Sequence, residues 1–146
     1  MDQLPDLGDA PLKQGQEVNL VVDGFMAAAA PAGLRTDGRA DLALIAAQEP
    51  VSAAGVFTTN KLAAAPVRVC RAHVAAGRAR AILANSGGAN AATGEPGLVA
   101  CRATCDATAA ALGCEPGQVL PCSTGVIGQV RTRPRWARPC PAWPPI

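Results

Sequence analysis

Arg80-Ala81-Ile82-Leu83-Ala84 reads as a central strand, and it runs straight into Asn85-Ser86-Gly87-Gly88-Ala89-Asn90-Ala91-Ala92-Thr93-Gly94-Glu95-Pro96-Gly97. A helix is expected next, from Leu98 to Leu112, because Leu98, Cys101, Cys105, Ala109 and Leu112 fall on one helical face. Gly113 then suits the left-handed residue that closes a helix. Strand, glycine-rich loop and helix in this order invite a phosphate-binding reading, since a helix N-terminus attracts anions. Against it, the loop has no Gly-Lys-Ser/Thr ending and no Gly-x-Gly-x-x-Gly at the turn. The plainer reading is a long loop whose Asn and Gly residues take unusual backbone angles and satisfy each other's polar groups.

Downstream, Val119-Leu120 looks like the end of a buried strand, followed by Pro121-Cys122-Ser123-Thr124-Gly125-Val126-Ile127-Gly128. Glycine leaves its N–H open to close approach, and the neighbouring threonine hydroxyl supplies a second donor. Two donors aimed at one point are what an enzyme needs to hold a developing oxyanion. The same residues also suit an ordinary strand-to-loop turn, with Ser123 and Thr124 bonding their own backbone. Both readings stand on local sequence.

Upstream, residues 1–23 are polar and acidic, a loose lead-in ending in a short strand around Val18–Val22. Gly24-Phe25 opens an alanine-rich passage to Gly33, and Thr36-Asp37-Gly38-Arg39 signals a turn. Asp41–Ala47 has strand length and is expected to stop at Pro50. Ala53–Thr59 reads as its antiparallel neighbour, with Gly55 letting another backbone come close. Pro66 should start a further strand, Val67–Cys70, and Arg71–Ala76 one helical turn stopped by Gly77. His73, the one histidine, has no partner cysteine or carboxylate nearby in sequence and reads as a surface or cap residue. Short strands with tight links before a long helix point to an α/β domain with a mixed or antiparallel sheet and packed helices.

Composition bounds what such a chain can do. At 146 residues it has the size of one domain. Aromatics are 3% of it, and its alanine-rich core buries little apolar area, so it is expected to lean on a partner surface or on further sequence. The acidic N-terminus lacks the apolar region of a secretory signal, and no stretch approaches a membrane span. Cys70, Cys101, Cys105, Cys114, Cys122 and Cys140 are then expected as reduced cysteines of a cytoplasmic protein. No Cys-x2-Cys pair or histidine cluster supports a metal site. The net charge of +2 is set by Arg131, Arg133, Arg135 and Arg138, without which the body is net acidic, so a nucleic-acid face is not expected. Residues 130–146 are rich in Pro, Arg and Trp and lack periodicity. They read as a tail without regular structure, either a peptide-recognition segment or the product of a GC-rich gene read out of frame.

Taken together, several blocks resemble the N-terminal part of the bifunctional ornithine acetyltransferase/N-acetylglutamate synthase family. They are Gly24-Phe25 with Ala32-Gly33-Leu34, Asp41-Leu42-Ala43-Leu44-Ile45, Ala54-Gly55-Val56-Phe57-Thr58-Thr59-Asn60, Ala64-Ala65-Pro66-Val67, Asn85 to Ala91 with Thr93-Gly94-Glu95, and Ser123 to Gly128. The resemblance covers about 24–129, and the order and spacing of the blocks carry it. Gly88 departs from it, because the family usually has Asn there.

The resemblance implies a partial N-terminal domain of the ornithine acetyltransferase fold. It also implies acetyl transfer from N2-acetylornithine to glutamate, with acetyl-CoA as an alternative donor and no bound cofactor. The family precursor cuts itself at an Ala-Thr bond, and the freed threonine begins the β chain. That threonine is the nucleophile, its α-amine can act as base, and an acetyl-threonine intermediate forms. Thr124 and Gly125 match the family's oxyanion-hole pair. Two α and two β chains assemble into a heterotetramer. Ala92-Thr93, Ala103-Thr104 and Ala107-Thr108 fall in the loop or the expected helix, outside the context of a cleavage site. The nucleophile is therefore expected outside these residues, and the chain alone is expected to be inactive. The alternative is a non-catalytic truncated or frameshifted remnant.

Overall fold

The computed structural model describes residues 22–128. The expected lead-in strand at 18–22, save its last residue, and the expected tail at 130–146 lie outside the described residues. Four strands form one sheet in the order β1-β2-β3-β4: Phe25–Ala30, Leu42–Ser52, Arg78–Asn85 and Val119–Ser123. The first three are antiparallel neighbours, and β4 runs parallel to β3. A parallel pair needs a crossover, and the helix α2, Gly94–Leu112, supplies it. A shorter helix α1, Ala65–Val74, links β2 to β3. The expected α/β class with a mixed sheet is what the chain adopts.

Both helices cover one face of the sheet. Leu42, Leu44 and Ala46 of β2 and Ala81 and Leu83 of β3 meet Val69 of α1 and Leu98, Cys101, Cys105, Ala109 and Leu112 of α2, with Val119 of β4 at the centre. The face of α2 read from the sequence is thus the buried one. Two buried threonines on α2 need partners, and each hydroxyl donates to the carbonyl one turn back, Thr104 to Ala100 and Thr108 to Thr104. The opposite sheet face is uncovered among the described residues. Ile45 and Ile82 are paired across β2 and β3 on that face and remain 48% and 42% exposed, flanked by the exposed alanines Ala27 and Ala43.

Several expected elements take other forms. Val67–Cys70 belongs to α1 and is not a strand. Pro66 lies in the first turn of that helix, where its missing N–H has no intrahelical partner to lose. Strand β2 does not stop at Pro50 but continues to Ser52. Its register with β3 jumps from Ala46 to Val51, so the proline sits where no registered pair is made. The expected antiparallel partner Ala53–Thr59 is irregular. It is held on α1 by Arg71, which donates to the Thr58 carbonyl at 2.8 Å and stacks 5.6 Å from the Phe57 ring centre. Gly55 faces that ring rather than another backbone. The true neighbours of β2 are β3 and the alanine strand β1. Helix α2 begins at Gly94, one turn before the expected Leu98, with Glu95 in its first turn.

Candidate functional site

The ladder between β3 and β4 does not end with the strands. The Thr124 N–H donates to the Asn85 carbonyl at 3.0 Å, the Gly88 N–H to the Thr124 carbonyl at 3.1 Å, and the Ala89 N–H to the Val126 carbonyl at 3.0 Å. Farther on, the Gly128 N–H donates to the Ala91 carbonyl at 3.0 Å. Residues 124–128 therefore lie bound along the glycine-rich loop. The two stretches singled out in the sequence form one site at the ends of two parallel strands.

Asn85 is the residue that joins them. Its Nδ2 donates to the Gly88 carbonyl at 3.0 Å, and its Oδ1 accepts from the Ser123 hydroxyl. Side chain and backbone together hold both loops, a role the sequence reading did not assign. The signal available was an amide side chain at the last position of a strand, ahead of a glycine pair. At position 88 the glycine backbone is bonded on both its N–H and its carbonyl.

Gly125 has φ 128°, and a Cβ there would come within 2.5 Å of the Gly88 nitrogen. No other residue fits without moving the loop. The backbone N–H of Thr124 is used in the ladder, but its hydroxyl and the Gly125 N–H donate to no atom among the described residues. Both residues are exposed. Two unspent donors stand on adjacent residues, a donor cradle on backbone fixed from behind by Gly88.

Asn90 braces the other end of the loop. Its Nδ2 donates to the Gly97 carbonyl at 2.7 Å and its Oδ1 accepts from the Thr93 hydroxyl at 2.6 Å. This side-chain network is the arrangement the plainer loop reading anticipated. A small cavity of about 60 Å³ lies beneath it, between Asn85, Asn90, Cys101 and Ser123.

Asp41 fixes the third loop. Its carboxylate is 3% exposed and accepts from the N–H groups of Ala32, Leu34 and Arg35 at 2.5, 2.6 and 2.7 Å. Burial alone would raise its pKa, but those three donors hold it below the ordinary value. The loop it anchors packs on Gly87, where an added Cβ would stand 3.0 Å from Arg35 Cγ. In the same loop, side-chain bonds from Arg35 and then Arg39 hold the exposed Asp37 carboxyl well below the usual carboxylate range.

His73 is neither a surface residue nor a cap. It is half-buried, with Nδ1 2.8 Å from the Val119 carbonyl, and so ties α1 to β4. The five described cysteines form no disulfide with one another. Burial pushes Cys101 and Cys105 up to about 12 and Cys70 to about 11. None of them is a ready nucleophile. Among the described residues no cluster of His, Cys, Asp or Glu could hold a metal ion, and no helix is long and apolar enough to cross a membrane.

A mixed sheet covered by helices on one side, with two glycine-containing loops bonded together where two parallel strands end, defines an α/β protein. Comparison with known proteins makes this specific. The ArgJ family profile matches residues 26–142, and the chain belongs to that family. The "Arginine biosynthesis bifunctional protein ArgJ" of Thermosynechococcus vestitus is 57% identical over 107 residues, 73% of this chain and 26% of the relative. The protein of the same name from Nitratidesulfovibrio vulgaris is 48% identical over 119 residues, 81% of this chain and 30% of the relative. This chain thus spans about a quarter to a third of the curated relatives it matches. The ornithine acetyltransferase of Mycobacterium tuberculosis, solved in complex with ornithine, superposes with a TM-score of 0.71 at 45% identity, over 73% of this chain and 58% of that one. ArgJ from Bacillus halodurans superposes with a TM-score of 0.70 at 37% identity, over 73% and 56%.

Proposed function

We propose that these residues are the N-terminal portion of an N-acetyltransferase of arginine biosynthesis, in which Thr124 and Gly125 form the oxyanion hole. The observation that carries this reading is the pair of unspent donors, the Thr124 hydroxyl and the Gly125 N–H, on backbone held by Asn85 and Gly88. Acetyl transfer passes through tetrahedral intermediates whose oxygen carries negative charge, and such donors stabilise that charge at no reorganisation cost. The names of the relatives and the ornithine bound to the M. tuberculosis neighbour support the substrate class.

In this scheme the acetyl group moves from N2-acetylornithine, or from acetyl-CoA, to glutamate. A threonine of the family's β chain attacks the acetyl carbonyl and its α-amine takes the hydroxyl proton, which then leaves with ornithine as the intermediate collapses. Glutamate attacks the resulting acetyl-threonine, and the same oxyanion hole serves again. The 146 residues supply the hole and one wall of the site. The β chain supplies the nucleophile, and two α and two β chains assemble.

The test is a hybrid in which residues 25–128 replace the matching segment of the T. vestitus relative. The hybrid should make N-acetylglutamate from N2-acetylornithine, and the 146-residue chain alone should not. Thr124→Ala in the hybrid should lower kcat by about 10²–10³-fold, the usual cost of one oxyanion donor. Unchanged kcat in that variant, or turnover by the isolated chain, would overturn the assignment.

A further inference from the structure

Seven arginines lie among the described residues, and five of them are occupied. Arg35 and Arg39 pair with Asp37, Arg71 donates to the Thr58 carbonyl, Arg78 to the Pro50 carbonyl, and Arg80 reaches the Ala47 and Gly113 carbonyls at 3.4 Å. Arg68 of α1 and Arg102 of α2 are the two whose side chains meet no protein acceptor among the described residues. Asp106, one turn along α2 from Arg102, forms no ion pair with it. Both arginines line one cavity of about 370 Å³ between the two helices.

The rest of that lining is equally specific. Its apolar part comes from the exposed Ala72 and the edges of the buried Val69 and Leu98. His73 forms one wall. A carbonyl can only accept, so the ring nitrogen facing Val119 donates to it. Two like charges brought to one cavity without a carboxylate repel each other, and an anion between them removes that repulsion. Planar guanidiniums match the oxygens of phosphate through paired N–H donors.

We propose that this cavity binds a phosphate monoester. Arg68 and Arg102 hold the phosphate from two helices, and the apolar part at Val69, Ala72 and Leu98 takes the organic group of the ester. The site lies on the helix layer, lined by none of the residues of the donor cradle, and it does not depend on the acetyl-transfer reading.

The experiment is a titration of the 146-residue chain at constant ionic strength, followed by NMR at the arginine Nε–H groups. The probes are phenyl phosphate, inorganic phosphate and chloride. Arg68 and Arg102 should shift saturably with phenyl phosphate, more weakly with inorganic phosphate, and without saturation with chloride. Arg68→Gln and Arg102→Gln should each weaken phenyl phosphate binding about tenfold, the lower end for a charge-assisted hydrogen bond. Arg39→Gln, whose guanidinium already has Asp37, should leave it unchanged. Because both cavity arginines are exposed, each variant should keep the backbone amide spectrum of the parent chain. Equal affinity for inorganic and phenyl phosphate would overturn the ester assignment. A linear response to all three probes, or an equal loss in Arg39→Gln, would overturn the site itself.

Discussion

Asp41 shows how much can hang on one side chain. A buried carboxylate is costly unless its lone pairs are used, and here three backbone N–H groups use them. Asn in its place keeps the shape but points an amide where donors converge. Asp41→Asn should therefore destabilise the chain by about 2–4 kcal/mol in urea denaturation, on the scale of losing a buried charged acceptor. The pH dependence follows from the sign of the shift. The folded pKa is depressed, so the unfolded chain takes up the proton first as pH falls. The stabilisation is fully present above the unfolded value of about 3.9 and is lost as pH drops through the folded one. Denaturation midpoints measured between pH 6 and pH 3 should fall less in Asp41→Asn than in the parent. Parallel midpoint curves would show that Asp41 carries none of the acid sensitivity.

The helices and strands differ in how legible they were. The buried stripe of α2 could be read because its large residues recur at helical spacing and Gly113 closes it, with φ 63°. Its consequence for chemistry is measurable. At pH 8 a thiol with pKa about 12 is ionised to only ~10⁻⁴, and the thiolate is the reactive form. Of the described cysteines, exposed Cys122 should react first with a disulfide reagent, and Cys101 and Cys105 only as fast as the core opens. Labelling of Cys101 at the rate of Cys122 would contradict the packing. Helix α1 was misread because its valines at 67 and 69 alternate as in a strand. What decides it is tertiary: Ala65, Pro66 and Val69 bury against the core, and Cys70 donates to the Pro121 carbonyl at 3.1 Å. Ala53–Thr59 has strand composition, but its expected partner β2 already pairs with β1 and β3, and Val56 stands fully exposed. At the candidate site, Thr124 and Gly125 can be singled out because glycine and threonine have distinctive local chemistry. Asn85 cannot, because its role exists only once two loops 38 residues apart meet.

For the molecule as a whole, the bare side of the sheet has a calorimetric meaning. Ile45 and Ile82 keep nearly half of their surface in water in the folded chain, and their flanking alanines are exposed as well. Unfolding newly hydrates only the remainder of them, and the heat-capacity change tracks newly hydrated apolar area. The 146-residue chain should therefore give a ΔCp per residue below the usual ~12–15 cal/mol/K, and a urea m-value low for its length. A scan with a normal ΔCp would mean that something shields that side in solution. A shallow ΔG(T) curve has a further result. Cooling costs such a chain little, so it should keep its fold near freezing better than a domain of equal length with both sheet faces dry.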